Sequence, residues 1–187
     1  IHPDADVVFH TTDEFGRFVM AQRNATFVAH NFKGYDSQFV LDFCRSNGVT
    51  PEVIMNGSKC TYLALPVQKV RFVDSLNFLP MALARIPETF GFEAMRKGHF
   101  PHYFNTLANA NYIGPLPAKE MYGYTYMKPE QRKAFDTWYN QEIERGTQFN
   151  MQVDLRSYCE NDVTVLRIGC SRFRRLLIDI GNTDPFK

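Results

Sequence analysis

Ala25-Thr26-Phe27-Val28-Ala29-His30-Asn31-Phe32-Lys33-Gly34-Tyr35-Asp36 decides how this chain is read. The run from Ala25 to His30 is apolar until its last residue, which predicts a central strand buried on both faces. The strand runs into a loop that presents an amide, an aromatic ring and a carboxylate together. Asp36 stands where the strand leaves the sheet, the place where open α/β sheets put their ligands. It is equally placed to cap a helix that starts at Ser37. That helix takes Phe39, Val40, Leu41 and Phe43 as its apolar face and ends before Gly48. Asn31 and Tyr35 suit a phosphate or base edge and a stacked base, or ordinary turn chemistry. His30 reads as a hydrogen-bonded structural histidine in preference to a metal ligand.

A second piece, Tyr158-Cys159-Glu160-Asn161-Asp162, lies far along the chain. Tyr158 and Asp162 are four residues apart in a helical pattern and share one face. Asp162 is either an exposed acid beside a core tyrosine or a metal ligand. Carboxylates from separate elements are what a hard divalent cation requires. A tyrosine of ordinary acidity is a poor base at neutral pH, so Tyr158 would orient a water through its hydroxyl. Aromatic and amide groups beside the carboxylates suit an unstacked nucleotide.

Around these pieces, Val7-Val8-Phe9-His10 and Arg17-Phe18-Val19-Met20 look like short strands about the turn Thr12 to Gly16. Val53-Ile54-Met55, Asn56-Gly57 and Cys60 to Leu65 form a hairpin pattern. Lys69 to Val73 makes the next strand, ended by Asp74-Ser75-Leu76, and a helix with Met81, Ala82 and Ile86 follows Pro80. From Gly98 to Asn150 the chain is rich in aromatics, Pro and Gly, and reads as a loop-rich insertion with one helix near Glu130 to Arg145. Apolar residues then recur at helical intervals from Val153 to Ile180, with Gly169 and Gly181 as weak points. The sum is an α/β domain with a mixed sheet flanked by helices.

With 187 residues, 44% of them hydrophobic, the chain suits one globular domain with an appendage. Its net charge of +1 decides nothing about nucleic acid. Arg167, Arg172, Arg174 and Arg175 form either the solvated face of a helix or a phosphate-tracking surface. The four cysteines, at 44, 60, 159 and 170, include no Cys-x-x-Cys pair, which argues against zinc and for free thiols in a reducing intracellular setting. No signal peptide or bilayer-length apolar run stands out, so no membrane partner is expected. The opening Ile1-His2-Pro3 and the closing Asn182 to Lys187 suggest a piece of something longer.

His30 to Asp36 resembles the second exonuclease motif of family-B DNA polymerases, especially the protein-primed branch of phages, adenoviruses, linear plasmids and Polinton-type elements. Tyr158 to Asp162 resembles the third motif, Asp74-Ser75-Leu76 with Leu79-Pro80 the Ser/Thr-Leu segment that binds single-stranded DNA, and Arg96-Lys97-Gly98 the segment whose Lys assists exonucleolysis. All four stand in the family order. Gly181 to Phe186 is similar to the crossover towards the polymerase palm. The resemblance implies an RNase-H-like, DEDD-type proofreading domain over residues 1–181, with 98–150 inserted in it and 182–187 leading to a palm. It implies two Mg²⁺ or Mn²⁺ ions held by four carboxylates, with Asp36 and Asp162 among them. Tyr158 would position the water, and Lys97 would stabilise charge on the scissile phosphate. Asn31, Tyr35, Ser75 and Leu76 would hold the strand. The implied partners are a single-stranded DNA 3′ end, primer-template DNA through the palm, and a terminal protein.

The family's first motif, Asp-x-Glu on an apolar strand, is not found. Asp4-Ala5-Asp6 has no apolar strand before it, and Asp13-Glu14 has the wrong spacing, so the chain is expected to begin after that motif and to have little nuclease activity alone. Two other readings stay open: a free-standing DEDD-type exonuclease, with Asp4 and Asp6 in place of the motif, and a non-catalytic single-strand-binding module.

Overall fold

The computed structural model describes residues 6–93 and 99–186. Asp4 and Lys97 lie outside them. The chain divides into two compact units, one of residues 1–93 and 165–187, the other of residues 94–164.

In the first unit a four-stranded mixed sheet carries the fold. Its strands are β1 (Thr26–Ala29), β2 (Glu52–Asn56), β3 (Lys59–Leu65) and β4 (Val70–Asp74), in the spatial order β1-β4-β3-β2. The hairpin forms where Asn56-Gly57 predicts it: Asn56 pairs with Lys59, and Gly57 takes φ +60° in the two-residue loop, a conformation that suits glycine. β3 and β4 are antiparallel, while β1 and β4 are parallel with Ala29 opposite Asp74. Both parallel strands therefore end on the same side.

The expectation of a central, doubly buried strand at residues 25–30 is corrected. β1 is an edge strand among the described residues, Thr26 is exposed, and Phe27 to Ala29 are only half-buried. Its apolar run packs through one face and one neighbour, β4.

The strands expected at 7–10 and 17–20 are also absent. α1 spans Thr12–Ala21. Thr11 caps it, accepting the Glu14 N–H through Oγ1 (3.1 Å), and the Glu14 carboxylate accepts the N–H of His10, the residue before the cap (2.8 Å). Asp13 pairs with Arg17 one turn on. Asp13 and Glu14, weighed with Asp4 and Asp6 for a first motif, are thus in the first turn of a helix.

α2 (Asp36–Ser46) packs against α1 and the sheet. Val19, Val40, Phe43 and Cys44 from the two helices meet Cys60, Leu63, Leu65, Val70 and Phe72 from the strands in one apolar core. Gly16 lets them approach, since a Cβ there would stand 2.2 Å from the Phe43 ring. After Pro80 the helical segment is short: a 3₁₀ turn at Leu83–Arg85 leads into α3 (Ile86–Phe90).

α5 (Met151–Gly181) is the expected long helix. Gly169 within it is a contact position, because a Cβ there would fall 2.3 Å from Cγ2 of the fully buried Ile86. Three of the four clustered arginines have protein partners in this unit. Arg167 pairs with Asp6 (3.7 Å), Arg174 with Asp184 (2.6 Å), and Arg172 donates to the Phe90 carbonyl (2.5 Å). Those bonds favour the structural reading of that cluster over a phosphate track.

The second unit is built from short 3₁₀ turns, a two-residue ladder of β5 (Ile113–Gly114) with β6 (Phe149–Asn150), α4 (Pro129–Glu144) and the start of α5. Its interior is aromatic. Phe135 is fully buried and has Tyr122, Trp138 and Tyr139 as ring neighbours at 5.2, 5.4 and 5.6 Å. Phe100, Phe149 and Met151 form a second cluster, with Phe104, Tyr112 and Tyr158 around it. Lys119 and Tyr124 converge on Asp136 at 2.5 and 2.9 Å. The aromatic section expected to be loops thus holds turns tied together by rings.

Candidate nucleic-acid interface at the strand ends

Since β1 and β4 are parallel and in register, the residues after Ala29 and Asp74 emerge side by side. Asp74 organises them. Its side chain is 3% exposed and accepts three backbone N–H groups: from Asn31 (2.9 Å) and Leu76 (3.0 Å) at Oδ1, and from Lys33 (3.2 Å) at Oδ2. A strand end leaves such donors without ladder partners, and a buried carboxylate is the strongest acceptor a side chain offers them. The loop needs this help because Asn31 sits at φ +66°, in the left-handed region. Gly34 completes the bend, for a Cβ on it would lie 2.7 Å from the Asn31 amide.

On this frame Asn31, Tyr35 and Asp36 are all exposed. Tyr35 is 67% exposed and meets Phe39, itself 42% exposed, edge to face at 5.2 Å. Rings this exposed, one helical turn apart, present faces on which a base can stack. Asp36 opens α2 without capping it: the cap residue is Tyr35, which makes no side-chain cap bond. Crowding by the surrounding protein raises the Asp36 carboxyl above its usual range, its own backbone N–H works against the rise, and the negative charge of Asp74 adds to it. Lys33 brings a cation to the same edge and donates to Asn77 Oδ1 (3.0 Å).

Ser75 is placed differently from its neighbours. Its side chain is fully buried and its Oγ lies 2.9 Å from the Ala29 carbonyl and 2.9 Å from Nδ1 of His30. The Cys170 thiol also faces it, and burial pushes that thiol up to about 11. What the turn offers outward is Leu76, half-buried, and Asn77, exposed.

Tyr158 and Asp162 belong to the second unit. They lie one turn apart on α5, as the spacing predicts, and both are half-buried. The Tyr158 ring stacks on Phe100 (5.2 Å) and meets His102 edge-on (5.3 Å). It borders an open cavity of about 660 Å³, with His99, Trp138, Phe149 and Asn161 also in its walls.

Among the described residues no three His, Cys, Asp or Glu side chains are grouped to hold a metal ion. Asp74 is committed to backbone donors, which leaves Asp36 as the available carboxylate at this edge. The donor set present does not by itself fit a divalent-ion pair.

Sequence reasoning passed over two residues here. Asp74 was visible only as the end of a strand, because its role depends on a register between segments 45 residues apart. Phe39 was counted in the apolar face of α2, although its spacing of four from Tyr35 places the two rings together.

The chain is similar to a "Probable DNA polymerase" of Ascobolus immersus, 29% identical over 163 residues, which are 81% of this chain and 13% of that protein. It is similar to one of Neurospora intermedia, 27% identical over 160 residues, 80% of this chain and 16% of that protein. A third, from Podospora anserina, is 41% identical over 54 residues, 29% of this chain and 4% of that protein. The chain therefore corresponds to a small part of the length of these relatives. No solved structure matches it. Residues 17–177 match the family profile of DNA polymerase type B, organellar and viral, and the chain belongs to that family.

Proposed function

We propose that this chain is part of the 3′-5′ exonuclease region of a DNA-directed DNA polymerase of the protein-primed kind, acting in DNA replication, and that its strand-end loops hold a single-stranded 3′ end. The observation that carries the reading is the edge built on Asp74, where Asn31, Tyr35 and Leu76 stand together at the ends of two parallel strands. An amide, an exposed ring pair and an aliphatic turn are the groups that grip an unpaired strand. In this reading the sheet is the RNase-H-like one. In the longer protein Asp36 and Asp162 are two of the carboxylates that hold Mg²⁺ or Mn²⁺, Tyr158 positions the water, Lys97 lies near the scissile phosphate, and a terminal protein is a further partner. The setting is intracellular. Polymerisation belongs to parts of the longer protein that these motifs do not include.

The described residues do not assemble a metal site, so the chain alone is expected to show little or no hydrolysis of a labelled single-stranded 3′ end with Mg²⁺ or Mn²⁺. Robust turnover that Asp36→Ala abolishes would show instead a complete, free-standing exonuclease.

A further inference from the structure

His30 stands at the first residue beyond β1, and its ring is held at both nitrogens. Nδ1 lies 2.9 Å from Ser75 Oγ, and Nε2 lies 2.9 Å from the Met81 carbonyl. The ring thereby ties three segments together: the end of β1, the turn after β4, and the strap after Pro80. That strap is anchored near by. Leu79 is buried, its N–H bonds the Ser75 carbonyl (2.8 Å), and the Met81 N–H bonds the Leu79 carbonyl (2.7 Å).

At the Met81 end the bond can run only one way. The Met81 carbonyl has no hydrogen to give, so Nε2 carries the proton and donates it. In the neutral ring Nδ1 is then an acceptor, and the donor beside it among the described residues is the Ser75 hydroxyl. That hydroxyl has one hydrogen and a second acceptor at the same distance, the Ala29 carbonyl. Ser75 is fully buried, so no solvent water competes for it. The hydroxyl is shared between the ring and the strand end, with the Cys170 thiol as a weaker third partner.

We propose that His30 is a positioning residue. It does not grip a strand itself; it sets the Ser75–Leu76 turn and the Met81 strap against the end of β1, and so decides how well Leu76, Asn31 and Tyr35 line up along a single strand. Ser75 acts with it from behind, as a buried link in the same unit. The inference rests on the strand-holding reading above only for its effect on binding; the hydrogen-bond arrangement stands apart from it.

Two arms test it on the whole chain. In the first, ¹⁵N-labelled histidine is followed by NMR. The expected signature is an Nε2-protonated His30 whose Nδ1 resonance moves when Ser75 is changed to Ala. An Nδ1-protonated ring, or an Nδ1 resonance indifferent to Ser75→Ala, overturns the proposal. In the second, affinity for a fluorescent oligothymidine with a free 3′ end is measured for His30→Gln, Ser75→Ala and the double variant. His30→Gln keeps a donor for Met81 and guards against simple unfolding, which circular dichroism checks. Each single variant is expected to lose about tenfold in affinity, and the double variant no more than either, because partners in one linked unit do not add. Losses that multiply show His30 acting independently of Ser75 and overturn the proposal. If the unchanged chain binds no oligothymidine, the strand-holding reading fails, and the NMR arm alone decides whether His30 holds Ser75.

Discussion

Asp74 and Asp136 are both carboxylates that pin a turn, one in each unit, and they do it differently. Asp74 is buried and takes three backbone N–H groups. Asp136 is about a third exposed and takes two side chains, Lys119 and Tyr124, which hold its carboxyl below the usual range, Lys119 more than Tyr124. Parallel strands that end together release donors into a place water does not reach, and one carboxylate answers them all. The second unit has a two-residue ladder and many short turns, so its order comes from side chains meeting side chains: stacked rings, and cations at 5.2 to 5.5 Å over Tyr124 and Tyr139. Surface pairs of the second kind are screened by salt; buried ones of the first kind are not.

The largest effect should come from Asp74→Ala, which strands three backbone donors. A loss of about 4 kcal/mol in denaturant unfolding is expected, with little salt dependence. Asp136→Ala should cost less, and its cost should shrink as salt rises. Equal costs, or a salt-dependent Asp74, would break the contrast.

Gly169→Ala comes next. Alanine improves helix propensity by about 1 kcal/mol, but the new methyl meets Ile86 at 2.3 Å, and overpacking of that kind costs about 1–3 kcal/mol. A net loss of about 1–2 kcal/mol is predicted, recovered in part by Ile86→Leu, which has no Cγ2 branch to meet the new methyl.

In the second unit the buried Tyr122 hydroxyl has no hydrogen-bond partner among the described residues, and burial pushes the phenol far above its usual range. Tyr122→Phe should therefore stabilise, by about 1 kcal/mol, with the ring contacts kept. A loss would mean that the hydroxyl has a role the rings do not explain.

The smallest effect is the acid response of His99, packed 4.8 Å from Phe135 and 4.8 Å from Trp138. Burial lowers its pKa in the folded chain. The neutral ring is the one folding favours, so the His99 contribution is complete above the unfolded value near 6.5 and declines as pH falls below it. Trp138 is the only tryptophan and reports on this cluster. Melts followed by its fluorescence should lose less stability between pH 7.5 and 5.5 in His99→Phe than in the unchanged chain.

The elements most legible in the sequence were those with local signatures. Asn56-Gly57 fixed the hairpin, and the helical repeat of apolar residues marked α5. The spacing of Tyr158 and Asp162 placed them one turn apart. Val7 to Phe9 and Phe18 to Met20 read as strands because they are strand-forming residue types, although Thr11, with Glu14 three residues on, carries a helix-start signature. The edge position of β1 and the role of Asp74 depend on pairing between distant segments, which no local pattern encodes. At the candidate site, Asn31 and Tyr35 emerged exposed, while Ser75, read as a strand contact, proved to be buried behind it.

The most direct test of the central claim is the fluorescence anisotropy of a labelled single-stranded oligonucleotide with a free 3′ end, titrated with the chain and with Tyr35→Ala. A base stacked on an aromatic ring is worth about 1–3 kcal/mol, so the exposed Tyr35 ring should carry at least about tenfold of the affinity. Saturable binding that Tyr35→Ala weakens by that factor is the predicted result. Absence of binding, or equal binding by both proteins, would contradict a strand-holding edge at Asn31, Tyr35 and Leu76.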